Sequence, residues 1–156
     1  MKTWFITGAG RGFGRVWTEA ALRRGDRVVA TARRPETLDL LRDEYGPSIL
    51  ALPLDVTDRA AVVSAIDRAV AVFGRIDVVV NNAGYGLFGM IEETTEQQAR
   101  EQLETNFFGA LWVTQAVLPV LRRQALGTFC RCPASAGSPH LRPLASTTPR
   151  NGLWKE

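Results

Sequence analysis

Short apolar runs alternate with stretches of helical spacing along the first 124 residues. Trp4, Phe5 and Ile6 form the first run, which ends at Thr7. Beyond the glycine cluster Gly8, Gly10, Gly12 and Gly14, residues Val16, Ala20, Ala21 and Leu22 recur at helical spacing until Arg23, Arg24 and Gly25 stop the helix. Residues 27–32 read as a second strand, and Pro35 suits the first turn of the next helix. A third strand is expected over 48–54. The helix after Asp58 keeps Val62, Ile66, Val70 and Phe73 on one face, and residues 76–80 are apolar enough for a strand covered on both sides. Strands separated by single helices imply βαβ units and a parallel sheet.

A long helix is expected from Thr94. Thr95 with Gln98 fits a capping box, and Ala99, Leu103, Phe107, Ala110, Leu111, Thr114, Val117 and Leu121 supply a broad apolar face. Pro119 should bend that helix near its end. After Gln124 neither period continues, and prolines at 133, 139, 143 and 149 interrupt any element. The expected division is therefore 1–124 as a region of βαβ units and 125–156 as an irregular tail.

Composition sharpens that division. The 156 residues are 46% hydrophobic and 22% charged, which suits one globular domain and excludes disordered or collagen-like classes. No apolar run reaches the roughly 20 residues of a membrane-spanning helix, and a strand pattern at residues 1–7 argues against a secretory signal. The net charge of +3 could suggest a nucleic-acid partner, but residues 1–124 hold fifteen basic and fifteen acidic side chains. The excess lies in the tail, where Arg131, Arg142, Arg150 and Lys155 face Glu156 alone. Cys130, Cys132 and His140 lie there as well, so the body is cysteine-free and cytoplasmic in character. No nucleic acid and no membrane are expected as partners.

The segment Thr7-Gly8-Ala9-Gly10-Arg11-Gly12-Phe13-Gly14 follows a strand and opens a helix. Glycines there let the backbone turn tightly and approach a pyrophosphate, while the helix start stabilises the anion. A turn without a ligand is the alternative. About 20 residues further on, where an acid would hold the ribose hydroxyls of NAD, stand Ala32, Arg33 and Arg34. A guanidinium can bind a 2′-phosphate that an acid would repel, and Arg11 adds charge nearby. NADP(H), rather than NAD, is the expected cofactor; a solvated strand end is the other reading of the two arginines.

Taken together, these motifs resemble the short-chain dehydrogenase/reductase family over residues 1 to 124. Thr7-Gly8-x-x-x-Gly12-x-Gly14 resembles its cofactor turn, Asp55-Val56 its adenine-contacting pair, and Asn81-Asn82-Ala83-Gly84 its N-N-A-G motif. Asn106 falls where the family's helix carries a catalytic asparagine. The resemblance implies a Rossmann-type doubly wound α/β sheet of order 3-2-1-4 and hydride transfer between an alcohol and a ketone or aldehyde. It also implies cofactor contacts at Thr7, Gly8, Arg11, Gly12, Phe13, Gly14, Arg33, Arg34, Asp55, Val56, Asn82, Ala83 and Gly84. Complete relatives are expected as homodimers or homotetramers that pair through the long helix and its successor. Tyr85, Leu87, Phe88 and Met90 could line an apolar substrate pocket or simply pack a loop.

The family's chemistry also uses a serine and a Tyr-x-x-x-Lys pair. This chain has only Tyr45 and Tyr85, and only Lys2 and Lys155, so no such pair exists. The tail suggests why. Taking the third base of each codon from Ser146 to Lys155 with the first two of the next, the genetic code permits Y-H-A-T-K-W-A-L-E. The same displacement from Gly127 to Gly137 permits H-I-L-Q-V-S-S-V-G-G, which resembles the family's fifth strand and its serine. Both fit the loss of one base near Gln124 or Ala125, and on that reading Cys130 and Cys132 form no metal or redox site. A natural variant tail on a catalytically silent NADP-binding protein is the alternative. As written, the sheet should stop at its fourth strand, leaving residues 78–80 on an open, aggregation-prone edge, with low stability and little or no turnover. Sequencing genomic DNA and transcript through this region is expected to show the displaced frame open past the tyrosine–lysine helix; a stop codon in that frame would make the tail genuine.

Overall fold

Strand residues that offer water no polar face lie at the centre of one parallel sheet. The computed structural model describes residues 1–125 and 127–131. Its strands are β1 (Thr3–Ile6), β2 (Arg27–Ala32), β3 (Ile49–Pro53), β4 (Val78–Asn81) and β5 (Thr128–Arg131), in the order 3-2-1-4-5. Because side chains alternate along a strand, neighbouring residues feed opposite cores. Phe5, Val29 and Val79 pack with α3 (Arg59–Phe73) and α5 (Ala110–Gln124), through Val62, Ile66, Val113 and Val117. Ile6, Val28 and Val80 pack on the other face with Ala21 and Leu22 of α1 (Gly12–Arg23) and Leu41 of α2 (Asp39–Tyr45). The fold is the expected doubly wound Rossmann-type α/β sheet, with the described helices on both of its faces. No helix among the described residues is long and apolar enough to cross a membrane.

The local signals act as expected at several boundaries. Asp58 caps α3 by accepting the Ala61 N–H at 3.0 Å, and Gly74 ends it at φ +76°. Thr95 and Gln98 form the capping box of α4 (Glu96–Leu103). Pro35 opens a 3₁₀ turn, Pro35–Leu38, rather than α2 itself.

The structure corrects three expectations. The sheet does not stop at β4: Thr128–Arg131 pairs with Val78–Asn81 in parallel, and the Thr128 N–H donates to the Asp77 carbonyl at 2.9 Å. Residues 78–80 are therefore buried between β1 and β5 instead of lying on an open edge. Four residues are too few for a period to show, but Thr128, Phe129 and Cys130 suit a pleated surface, and Phe129 packs against the core. Second, the apolar face expected of the long helix holds at Val117 and Leu121 but not in its first turns. Leu103 and Phe107 are exposed, and Val113 and Val120 join Val117 and Leu121 in the core. A π turn over Glu104–Gly109 separates α4 from α5; its i→i+5 bonding slips the 3.6-residue phase on which the expectation rested. Third, Val16 faces solvent, because Gly14, Thr18, Ala21 and Leu22 form the buried face of α1. Cys132, His140, the four tail prolines and the residues of the displaced tyrosine–lysine frame lie outside the described residues.

At the end of the sheet away from the glycine turn, the buried Asp26 carboxylate ties β1 to β2. It accepts the Lys2 N–H at 2.8 Å, the Trp4 indole N–H at 2.9 Å and the Arg24 guanidinium. Burial alone would raise this carboxyl, but the bonds from Lys2, Arg24 and Trp4 outweigh it and hold it below its ordinary 3.8. A carboxyl depressed by folding stabilises the fold above pH 3.8, and that contribution is lost as pH falls through the folded-state value. Asp26→Asn is expected to cost about 1–3 kcal/mol of unfolding free energy at pH 7, with the gap to the wild type narrowing below pH 3.8. Chemical denaturation at both pH values measures it; a pH-independent gap would mean the carboxylate charge plays no part.

Candidate functional site

The C-terminal ends of β1 and β4 meet at one buried hydroxyl. Thr7 Oγ1 accepts the N–H groups of Asn82 at 3.0 Å and Ala83 at 2.9 Å, and donates to the Val80 carbonyl at 3.3 Å. From the other side the Asn82 amide donates to the carbonyls of Thr7 at 2.9 Å and Gly8 at 3.1 Å. The glycine turn is thus bolted to the turn that follows β4. Two glycines are required by this geometry. Gly8 holds φ +65°, and a Cβ there would stand 3.0 Å from Ala83 Cα. A Cβ at Gly14 would collide with the Gly8 carbonyl and the Asn82 amide, so α1 can start this close to β4 only without a side chain.

These turns border a cavity of about 510 Å³, within the range of small-molecule and cofactor sites. The glycine turn contributes Gly8, Gly10, Arg11, Gly12 and Phe13; the end of β2 contributes Ala32, Arg33, Arg34 and Thr37. The end of β3 supplies Leu54, Asp55 and Val56, and the far wall is Asn82, Ala83, Gly84, Tyr85 and Thr105. Eleven of the thirteen residues expected to hold a cofactor therefore border one space. The other two, Thr7 and Gly14, stand behind the wall and shape it through the contacts just described. Thr37, Leu54 and Thr105 line it as well and belong to none of the sequence motifs. Gly10 and Thr37 interlock, since a Cβ on Gly10 would run into the Thr37 hydroxyl. Their contact joins the turns after β1 and β2 and leaves no local signal in the sequence.

Charge around the cavity is arranged for an anion. Among the described residues no side chain caps α1, whose N-cap is Arg11, which leaves its first N–H groups and dipole to act on a ligand. Arg11, Arg33 and Arg34 are exposed at the rim. Asp55 is the one acid among the lining residues. Partial burial raises its carboxyl, but the Thr57 N–H at 3.0 Å, the Thr57 hydroxyl at 2.7 Å and the charge of Arg33 prevail, holding it below 3.8. Phe13, half exposed, stacks on Trp17 with ring centroids 5.8 Å apart.

Asn106 does not border the cavity. It lies in the π turn, where its Oδ1 accepts the Tyr85 N–H at 3.0 Å and its Nδ2 donates to the Tyr85 carbonyl at 2.8 Å. Gln102 Nε2 donates to that same carbonyl at 3.2 Å. Of the apolar loop residues, Tyr85 lines the cavity, while Phe88 and Met90 point to solvent, at 92% and 65% exposure. Asn81 instead faces α5, where its amide donates to Thr114 Oγ1 at 3.1 Å.

Residues 2–138 match the short chain dehydrogenase family. The chain is 46% identical over 127 residues to oxidoreductase BOA17 of Botryotinia fuckeliana (strain B05.10), covering 81% of this chain and 46% of that protein. Among solved structures, a short-chain dehydrogenase from Streptomyces avermitilis superposes with a TM-score of 0.81 at 43% identity, over 84% of this chain and 49% of that one. A closed form of serine dehydrogenase complexed with NADP+ gives 0.78 at 33% identity, over 83% and 52%. The chain spans about half the length of the curated relatives it matches.

The bolt at Thr7 yields a stability test. Thr7→Val removes the acceptor of the Ala83 N–H and is expected to lower the unfolding free energy by about 1–3 kcal/mol, whereas Thr7→Ser should cost less than about 1 kcal/mol. Urea unfolding of the two variants checks this; equal losses would assign the effect to the lost methyl rather than to the hydroxyl.

Proposed function

This chain belongs to the short-chain dehydrogenase family, and from that membership we propose that residues 1–124 are the dinucleotide-binding half of an NADP(H)-dependent oxidoreductase. Its reaction moves hydride between an alcohol and a ketone or aldehyde. The observation that carries this reading is the convergence on one cavity of the glycine turn, both arginines after β2, Asp55–Val56 and the turn at Asn82–Gly84. NADP+ in the related serine dehydrogenase supports the choice of cofactor.

The residues present fit such a group. Gly8, Gly10 and Gly12 present backbone without side chains to the cavity, and the start of α1 would meet the pyrophosphate. In this reading Arg33 and Arg34, with Arg11, take the 2′-phosphate. Asp55 and Val56 would hold the adenine, and Asn82, Ala83 and Gly84 the rest of the dinucleotide. Bound there, the nicotinamide supplies the hydride chemistry; this chain's own part is to bind and orient it. Asn106 belongs to the proposal as a positioning residue, since it holds the Tyr85 backbone beside the Asn82–Gly84 turn.

Turnover is assigned to the chain read in the displaced frame, because Tyr45 and Tyr85 have no lysine at the required spacing. The 156-residue chain is expected to bind cofactor without reducing a carbonyl substrate, as a silent NADP-binding protein also would; measurable activity on restoring the frame separates the two. Pairing of two copies along the long helix is part of the same proposal, and the exposed Leu103 and Phe107 support it.

Isothermal titration of NADPH and NADH tests the assignment. Arg33→Glu is expected to weaken NADPH binding by about tenfold or more, roughly 1.4 kcal/mol, and to leave NADH binding unchanged or stronger. An unchanged ratio of the two affinities would remove the 2′-phosphate from Arg33.

A further inference from the structure

We propose that Arg15, which does not border the cavity, is a positioning residue for cofactor discrimination: it braces the turn that carries Arg33 and Arg34. The inference rests on the NADP(H) reading above and names a residue that reading does not use.

Arg15 is the fourth residue of α1 and is not among the residues lining the cavity. Its guanidinium works in two directions at once. Nε donates to Glu19 Oε1 at 2.9 Å, and a terminal nitrogen donates to the Thr37 carbonyl at 3.2 Å. Glu19 is fixed in turn by Arg23, whose guanidinium reaches Oε2 at 2.7 Å. The side chains of Arg15 and Glu19 are 32% and 24% exposed, so this pair is partly shielded from solvent.

Thr37 transmits the hold. Its N–H donates to the Arg34 carbonyl at 3.2 Å and its hydroxyl donates to the same oxygen at 2.7 Å. One face of Thr37 also packs on Gly10, and Leu38 beside it is fully buried. The backbone at Arg34 is thereby held from three sides, by the core through Leu38, by the glycine turn through Gly10 and by α1 through Arg15. Of these, only the Arg15 contact spans from the anion-facing helix to the turn through a single side chain. A planar guanidinium can serve Glu19 and the Thr37 carbonyl together, which an ammonium on a flexible stem does less well. Pre-orienting two long, exposed arginines lowers the ordering cost of closing on a phosphate. That benefit is collected only by a ligand carrying the 2′-phosphate.

The test is equilibrium binding of NADPH and of NADH to the 156-residue chain and to Arg33→Glu, Arg15→Met, Arg15→Lys and Glu19→Met variants. Arg15→Met is expected to weaken NADPH binding by about fivefold while NADH binding stays within about twofold. Arg15→Lys should recover part of the loss, and Glu19→Met, which frees the guanidinium without removing it, should reproduce part of it. If Arg15→Met does not fold, Glu19→Met decides, since Glu19 sits outside the cavity. Equal weakening of NADPH and NADH would reduce the brace to general structural support and overturn the inference. So would a preference that Arg33→Glu abolishes but Arg15→Met and Glu19→Met leave intact, a result in which the NADP(H) reading survives. A wild-type chain without preference, unaffected by Arg33→Glu, overturns both.

Discussion

The hydroxyl of Thr7 is the point on which the candidate site depends. A strand end has two unpaired backbone groups to satisfy, and here the ends of β1 and β4 satisfy each other through one side chain. Asn82 completes the junction by returning its amide to the carbonyls of Thr7 and Gly8. Valine at position 7 would keep the strand geometry and lose the acceptor; a longer side chain at position 14 would part the junction by steric contact. The spacing of the glycines is therefore as much a requirement of packing between two turns as of access for a ligand. With the junction closed, α1 begins directly over the crevice where strand order reverses, which is where open α/β sheets bind ligands.

Electrostatics then gives the crevice its polarity without any net charge on the body of the chain. Fifteen basic and fifteen acidic residues balance over 1–124, yet Arg11, Arg33 and Arg34 share one rim with the uncapped start of α1. The acids are drawn off elsewhere. Glu19 is held by Arg15 and Arg23 on the outer surface of α1, and Asp26 and Asp77 are engaged at the opposite end of the sheet. Asp55 remains at the cavity, with its carboxylate satisfied by Thr57. Segregating charge in this way concentrates a positive field where an anion would lie while leaving little long-range attraction for a polyanion.

What the sequence made legible follows from how local each signal is. The four main strands, the capping box at Thr95 and the glycine turn are written in contiguous residues, and each is found within a residue or two of its expected place. The convergence of Asp55 with Arg33 and Gly84 was readable through family resemblance, because motif order stands in for a contact map. Three features had no such trace. The π turn at Glu104–Gly109 slips the helical phase without any proline or glycine pair to mark it, so Leu103 and Phe107 were assigned to the wrong face. The Arg15–Thr37 contact joins residues 22 apart through a backbone carbonyl, which carries no residue identity. Asn106 was legible as a position but not as a geometry: its amide grips Tyr85 rather than the open cavity.

The fifth strand shows why a fold can tolerate what chemistry cannot. A parallel partner for β4 needs extended backbone, a side chain compatible with the core on one face and strand-forming residues in register. Thr128–Arg131 meets those conditions, with Phe129 opposite Val79 and packed on the core. The displaced frame permits isoleucine, leucine and glutamine over the same stretch. Sheet closure selects for propensity and burial, properties that many residues share. Proton transfer at a substrate oxygen selects for a particular phenol beside a particular amine. On the proposed frame change after the long helix, the β4 edge is covered by β5 while the chain carries no tyrosine–lysine pair. This separation between binding and turnover is what the proposed assignment requires of the 156-residue chain.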